Sequence, residues 1–323
     1  VKLAPVCLAI GLVIANVAYA DKPTLVGLAP PPVDDARLAI AIGPSGQAYE
    51  PDGQGTWTRR HAGGTAAEVV IATRAGKAVI VGAKDAPPFK LVDGTWSSVY
   101  LGQHAKAIVG FGSRALAAVG RSIFALDRTP PVKLANAPGV VTALAGSPAS
   151  VVITTDAGVF RLDPTGWIQL AQTSVALVTD TWGLVDRGAM NLQSNKIIAW
   201  PTDVRVVAAA SPAALPAAST AAWPGDNTLY AIAVHGAELE LLTVHAGKLD
   251  REPIAFDASA TIIGVVADRS GRVVLAASDG RLAIRDHSTA DFTAHTPGTW
   301  TTTRVREALP APRTGPAPAI SPR

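Results

Sequence analysis

Past residue 23 the apolar residues come in short strings broken by Gly, Pro, Asp and Ser, and no long run repeats at helical spacing. The clearest stretch reads Val151-Val152-Ile153-Thr154, a turn through Asp156-Ala157-Gly158, then Val159-Phe160-Arg161-Leu162-Asp163. A second turn through Pro164-Thr165-Gly166 leads to Trp167-Ile168-Gln169-Leu170, and Val141-Thr142-Ala143-Leu144-Ala145 stands ahead of the whole. Strings this short, rich in β-branched residues and bounded by turn formers, predict strands, so the unit has four of them.

The same pattern recurs. Ala115 to Gly120, Ile123 to Asp127 and Val132-Lys133-Leu134 align with it nearly residue for residue. Further copies carry Leu38 to Ile42 with Tyr49 and Asp52, and Ala78 to Val81 with Phe89 and Asp93. Others carry Ile197 to Trp200 followed by Val204 to Ala208, then Leu229 to Val234 with Leu239 to Val244, and Val273 to Ala277 with Leu282 to Asp286. Seven copies result. Gly120 and Gly158 stand 38 residues apart and Gly236 and Gly280 stand 44 apart, around the period of roughly 40–50 residues for a four-stranded unit repeated about an axis. In Asp268-Arg269-Ser270-Gly271 and Ser278-Asp279-Gly280 the Asp can bond its local backbone and the Gly can take positive φ, so both predict hairpins. Trp57, Trp96 and Trp300 follow Gly-Thr and Trp167 follows Thr-Gly. A Trp opening the outermost strand of a unit predicts packing between units rather than a sugar-stacking surface.

The stretch from Val265 to Asp286 (Val265-Val266-Ala267-Asp268-Arg269-Ser270-Gly271-Arg272-Val273-Val274-Leu275-Ala276-Ala277-Ser278-Asp279-Gly280-Arg281-Leu282-Ala283-Ile284-Arg285-Asp286) resembles one repeat of the WD-repeat and quinoprotein-like propellers. It lacks the Gly-His and Trp-Asp dipeptides of true WD repeats. The resemblance implies an all-β fold, a β-propeller of seven four-stranded blades around a central channel. Ring closure is expected without a shared blade: a first strand near Leu25 to Ala29 begins blade one and Trp300 to Val305 ends blade seven. The run from Ala209 to Ala218 is too Pro-rich for a helix or a central strand and reads as a long loop between blades.

Three segments follow. Lys2, the apolar stretch Val6 to Val17 and Ala18-Tyr19-Ala20 make residues 1–20 a cleavable export signal. Residues 21–308 form the propeller domain, and the Pro- and Ala-rich residues 309–323 read as a disordered tail. Met190 is the sole methionine, so translation starts at Val1 through a non-standard codon or the chain is a fragment of a bacterial reading frame. Cys7 is the only cysteine and lies in the signal, which leaves the exported protein to its core and hydrogen bonds, with no disulfide framework. No stable membrane span is expected after cleavage, and the location is periplasmic or extracellular.

Composition narrows the partners. Of 323 residues 48% are hydrophobic and 16% charged, with 28 basic side chains against 25 acidic ones, the opposite of a disordered chain. The basic residues are scattered, and the densest group, Arg59-Arg60-His61, reads as a solvated strand edge, so nucleic acid is not an expected partner. The chain has no Gly-x-Ser-x-Gly elbow, phosphate loop, His-Glu-x-x-His or calcium loop. His235 and His245 fall on neighbouring strands and could approach, with Glu238 or Glu240 as a speculative third ligand, but ordinary polar positions account for them better. Asp286-His287-Ser288 has the residue types of a triad, yet consecutive residues point in different directions.

Asp52-Gly53-Gln54-Gly55-Thr56-Trp57 is similar to the Asp-box turn of sialidases, with shorter versions at Asp93-Gly94-Thr95-Trp96 and Asp163 to Trp167. That likeness implies, as the alternative, a glycan-acting propeller enzyme, for which no arginine triad, Tyr nucleophile or acid is assignable. A quinoprotein enzyme would want adjacent cysteines and metal or stacking groups that are not found. The expected function is therefore an exported, non-catalytic module of a bacterial envelope that binds or scaffolds a protein or glycan partner. No catalytic, cofactor-binding or metal residue is assigned, no cofactor is expected, and the binding residues are left open.

Overall fold

The computed structural model describes residues 23–31, 35–53, 55–65, 67–147, 150–173, 175–212, 228–286 and 298–307. They form 28 strands in seven antiparallel units of four, running in chain order from the inside of each unit outward. Unit one holds β1 (Gly27–Ala29), β2 (Ile40–Ile42), β3 (Ala48–Pro51) and β4 (Trp57–His61). Unit two holds β5 (Val69–Ala75), β6 (Ala78–Ala83), β7 (Ala86–Val92) and β8 (Thr95–Ser98); unit three holds β9 (Ala107–Phe111), β10 (Arg114–Val119), β11 (Ser122–Ala125) and β12 (Val132–Asn136). Unit four holds β13 (Val141–Ser147), β14 (Ser150–Thr155), β15 (Gly158–Asp163) and β16 (Gly166–Ala171); unit five holds β17 (Ala176–Leu177), β18 (Trp182–Val185), β19 (Gly188–Asn191) and β20 (Lys196–Ala199). Unit six holds β21 (Arg205–Ala210), β22 (Leu229–His235), β23 (Glu238–His245) and β24 (Lys248–Ile254), and unit seven holds β25 (Ile262–Ala267), β26 (Val273–Ala277), β27 (Arg281–Asp286) and β28 (Thr299–Arg306).

Burial explains why the sequence reads as continuous apolar strings. β6 and β26 are buried along their whole length, because a second strand is covered on both faces by the neighbouring blades. Outer strands such as β12 and β20 are largely exposed and carry Lys, Asn and isolated aliphatics. The core is accordingly divided into seven clusters, one at each junction between adjacent blades. The junction of blades one and two, for instance, packs Ile40 and Ile42 against Val79, Val81 and Leu91. Each fully buried Val or Leu in such a seam contributes roughly 1.5–3 kcal/mol. Small residues let blades approach closely: a Cβ on Gly110 of β9 would overlap the Arg74 carbonyl of β5.

The predicted hairpin chemistry is present. The Asp268 carboxylate accepts from the Ser270 and Arg272 amides at 2.8 and 3.2 Å, and Gly271 and Gly280 have φ of 83° and 82°. The outer-strand tryptophans pack between blades and reach back to the blade before their own. Trp96 donates to the Gly46 carbonyl at 3.1 Å, Trp167 to the Asn136 carbonyl at 2.7 Å, and Trp300 to the Glu252 carboxylate at 2.6 Å.

The ring closes between blades seven and one without a shared blade. β28 pairs in parallel with β4 through Val305 opposite Trp57 and Arg306 opposite Thr58, which merges the two blades into one eight-stranded sheet. The wholly buried Asp268 accepts from the Ala36 amide at 3.0 Å. Glu307 holds the Tyr49 hydroxyl at 2.9 Å and Arg59 at 2.6 Å. Burial raises the Tyr49 pKa, with the Glu307 bond adding to it.

Two expectations need correction. Ile197 to Trp200 and Val204 to Ala208 are not one repeat: β20 ends blade five and β21 begins blade six. The second and third strands of blade five are β18 and β19, a hairpin over Trp182 to Asn191 that the apolar pattern does not reveal because Gly183 and Gly188 interrupt it. The Pro-rich run is not a connection between blades either. Ala209 and Ala210 finish β21, paired with Ala231 and Tyr230, so the connection lies inside blade six; residues 213–218 of that run lie outside the described residues. The signal and tail, residues 1–20 and 309–323, also lie outside them, as do His287 and Ser288.

A charged cleft at one end of the ring

Antiparallel blades send their first-to-second and third-to-fourth connections to one end of the ring and the remainder to the other. Six of the seven second-to-third hairpins at the far end turn tightly, through residues 84–85, 120–121, 156–157, 186–187, 236–237 and 278–280, while that of blade one runs over 43–47. At the near end the connections lengthen around the closure: 30–39 in blade one, 211–228 in blade six and 287–298 in blade seven. The Asp35-Arg37-Arg272-Asp268 group lies there, with Arg37 on Asp35 at 2.9 Å and Arg272 within 3.4 Å of both Asp35 and Asp268. The Arg37 hydrogen bond holds the Asp35 carboxyl below its usual range, opposed by burial and helped by the Arg37 and Arg272 charges.

Beside this sector, between blades one and two, is a pocket of about 210 Å³ lined by Ile40, Glu50, His61, Arg74, Lys77, Val79, Leu91, Asp93 and Gly94. Of its lining, Ile40, Val79 and Leu91 are each under 5% exposed and are packed into the seam between the two blades. Its wall is charged. His61 closes β4 with Nε2 3.7 Å from Glu50, and the Asp93-Gly94 turn, with φ of 47° and 80°, presses so close that a side chain at Gly94 would touch the His61 ring. Arg74, one residue before the end of β5, donates only to carbonyls, Gly76 at 3.3 Å and Leu38 at 3.5 Å. Burial pulls its guanidinium below the ordinary arginine range, with Glu50 opposing the shift. Among the described residues neither Arg74 nor Lys77 has an ion-pair partner. The lining sets two cations, Arg74 and Lys77, beside two carboxylates, Glu50 and Asp93, and can meet a polar ligand; no hydroxyl or thiol nucleophile lines it.

The candidates raised from sequence fall elsewhere. His235 and His245 sit at opposite ends of the β22–β23 hairpin, opposite Glu238 and Lys248 respectively, which corrects the reading that they approach. His235 instead contacts Asp203 at 3.1 Å and Glu240 at 3.2 Å, while His245 meets the Thr228 hydroxyl at 2.9 Å. Arg251 joins Glu240 and Asp203 in the same cluster. Asp52 accepts from the Thr56 amide at 3.1 Å, a turn-forming role. Arg59-Arg60-His61 is more than a solvated edge, since Arg59 is tied into the ring closure and His61 lines the cleft. Sequence reading missed the cleft because six strands of two blades supply it.

No model of a known protein family matches the chain, and no curated protein is similar to it in sequence. Among solved structures, YCF48 from Cyanidioschyzon merolae superposes with a TM-score of 0.57 at 14% identity, over 81% of this chain and 95% of that one. The WD40 β-propeller domain of Doa1 gives 0.56 at 11% identity, over 83% and 94%. The protein is a β-propeller with degenerate repeats. PorZ of Porphyromonas gingivalis, a surface component of the type-IX secretion system, also matches the propeller, with a TM-score of 0.53 at 13% identity over 89% of this chain but only 39% of its own. Identities at this level establish the fold and leave the task of the propeller to its own surface. Among the described residues no helix is long and apolar enough to cross a membrane.

Proposed function

We propose that this propeller is an exported, non-catalytic binding or scaffolding module of a bacterial envelope whose partner is a protein. The observation that carries the reading is the clustering of the chain's longest within-blade connections, 30–39, 211–228 and 287–298, at one end of the ring around the closure, with a charged cleft beside them. A rigid ring presents such a face with little ordering cost on binding. Among solved propellers of similar shape, YCF48 has been captured with a D1 peptide and PorZ is a secretion-system surface component, which supports a protein partner without naming one. A glycan partner is less favoured, because Trp96, Trp167 and Trp300 spend their indole donors on neighbouring blades instead of forming a stacking platform. Export rests on the pattern of residues 1–20.

The test is a crosslinked pull-down from envelopes with the full protein and with a variant in which residues 213–227 are replaced by Asn-Gly, beside a turnover screen on sialosides, other glycosides and alcohols. A specific partner lost or weakened in the variant, with Asp21 at the N-terminus of the isolated protein, is expected. Turnover abolished by Arg or Asp substitutions in the channel would overturn the non-catalytic reading, and an intact Val1 would overturn export.

A further inference from the structure

At the far end of the ring, blade six carries a cluster of titratable side chains that lies apart from the cleft. His235, the last residue of β22, is set between two carboxylates. Its Nε2 lies 3.1 Å from Asp203, in the turn that leads from blade five into blade six, and its Nδ1 lies 3.2 Å from Glu240 on β23. Arg251 on β24 completes the group, with its guanidinium 2.8 Å from Glu240 and 3.4 Å from Asp203. The neighbouring charges on the elements packed beside the ring are Glu238, opposite His235 in the β22–β23 ladder, and Arg205, opposite Val234 in the β21–β22 ladder.

The chemistry of these contacts sets the charge of the ring. An ionised carboxylate only accepts hydrogen bonds, whereas a neutral imidazole donates from one nitrogen and accepts at the other. A carboxylate on each ring nitrogen is therefore satisfied on both sides only by the imidazolium. When the ring loses a proton, one nitrogen lone pair is left facing a carboxylate oxygen at contact distance.

Which carboxylate lets go follows from how each is held. Glu240 lies mid-strand, paired to β22 and β24, is 13% exposed, and accepts two guanidinium bonds from Arg251 at 2.8 and 3.0 Å. Asp203 is 46% exposed and reaches Arg251 only at 3.4 to 3.5 Å. Its turn is closed by a long bond from the Val204 amide to the Pro201 carbonyl, 3.4 Å. A hydrogen bond from its own amide holds the Asp203 carboxyl below the usual range, opposed by desolvation and helped by Arg251 and the His235 charge. Asp203 thus stays ionised where a histidine changes charge. The neutral ring keeps its proton on Nδ1 for Glu240, and its bare Nε2 repels Asp203.

We propose that His235 is a proton-operated clamp on the turn between blades five and six: the imidazolium holds Asp203 against the β22–β23 hairpin, and loss of its proton frees residues 201–204. The held state belongs to low pH and the released state to high pH, because the Asp203 contact needs the second ring proton. The clamp is independent of the partner-binding reading above and stands or falls without it.

The test places a nitroxide spin label on the turn, at Thr202→Cys in a Cys7→Ser background, and compares electron paramagnetic resonance line shapes of the full chain at about pH 5.5 and about pH 8. The mobile fraction is expected to grow roughly twofold to fivefold between the two, and to be equal at both once His235→Gln is added. A double-mutant cycle of His235→Gln with Asp203→Asn in urea unfolding gives a second readout that a purely structural contact would not move. Coupling of about threefold in the unfolding constant is expected at the lower pH and none at the higher. Label mobility that ignores pH, a pH response that survives His235→Gln, or coupling of equal size at both pH values would each overturn the clamp.

Discussion

Blade seven meets blade six through a buried ion pair, and blade one through backbone pairing, the buried Asp268 carboxylate and the more exposed contacts of Glu307 and Arg272. Toward blade six, Arg285 and Glu252 are 7% and 11% exposed and 2.7 Å apart, and Trp300 donates to the same carboxylate. Toward blade one, Asp268 caps the Ala36 amide and β28 runs beside β4 for two residue pairs. The first contact joins blades already linked by the chain, so it has only to fix orientation. The second joins the two ends of the ring, where no covalent link restrains the opening, and it divides its bonds between β28–β4 main-chain pairing and the Asp268 and Glu307 side chains. One turn serves both, because Arg285 also donates to the Gly271 carbonyl at 2.6 Å, within the loop that Asp268 organises.

The most severe way to break the comparison is to remove its backbone part. Deleting residues 299–323 takes away β28, with its pairing to both β27 and β4, and is expected to lower the thermal midpoint by on the order of 10 °C or more, or to abolish cooperative unfolding. Deleting only 308–323 is expected to move it by about 2 °C at most. Similar midpoints for the two truncations in a calorimetric scan would show that closure does not depend on β28. Next in size is Glu252→Ala, which strands Arg285 in a buried site and is expected to cost roughly 3–5 kcal/mol in urea unfolding; a loss under about 1 kcal/mol would mean the pair is solvated. Asp268→Ala removes the acceptor for the Ala36, Ser270 and Arg272 amides and is expected to cost about 2–3 kcal/mol. Combined with Glu252→Ala it should depart from additivity by about 0.5–1 kcal/mol, as groups sharing one turn do; strict additivity would show that the two junctions are independent.

The smallest effect is in acid. Because the folded Asp35 pKa lies below its ordinary 3.8, the unfolded chain takes up the proton first as pH falls. The contribution of Asp35 is therefore complete above about pH 4 and disappears as the pH drops through the lower folded value. Partial exposure of the pair limits it to a few tenths of a kcal/mol. Asp35→Asn should flatten the stability profile in that window and leave its shape near neutrality unchanged, and an identical acid limb in the variant and the parent would remove Asp35 from the account.

What could be read from the chain follows from how a blade is buried. Second strands covered on both faces, such as Val273–Ala277, announce themselves as unbroken apolar strings, and six of the seven were located that way. β18, with Trp182 and Gly183 where others have Val and Ile, carries no such string, and its place was given to strands of two different blades. The Trp packing was legible because Gly-Thr-Trp recurs at one position of the repeat. The cleft was not, since Arg74 and Lys77 are ordinary turn-flanking residues until β2, β3 and β4 of the preceding blade are set beside them. Loop placement failed for a related reason: composition identified the Pro-rich run as irregular chain, but which two strands it joins depends on pairing partners far along the sequence.

The backward reach of the tryptophans gives the molecule a direction in time. Trp96, Trp167 and Trp300 each dock on a blade that leaves the ribosome before their own, so a chain made from its N-terminus can settle these junctions as it grows. Trp57 has no such predecessor. Its neighbour Val305 belongs to the last described strand, so Trp57, which shares its cluster with Leu28, Ala41 and Tyr49 of its own blade, gains its blade-seven cover only after nearly all the rest has been made. The first blade built is then the last one finished, and a nascent propeller is expected to carry a tryptophan covered from one side only.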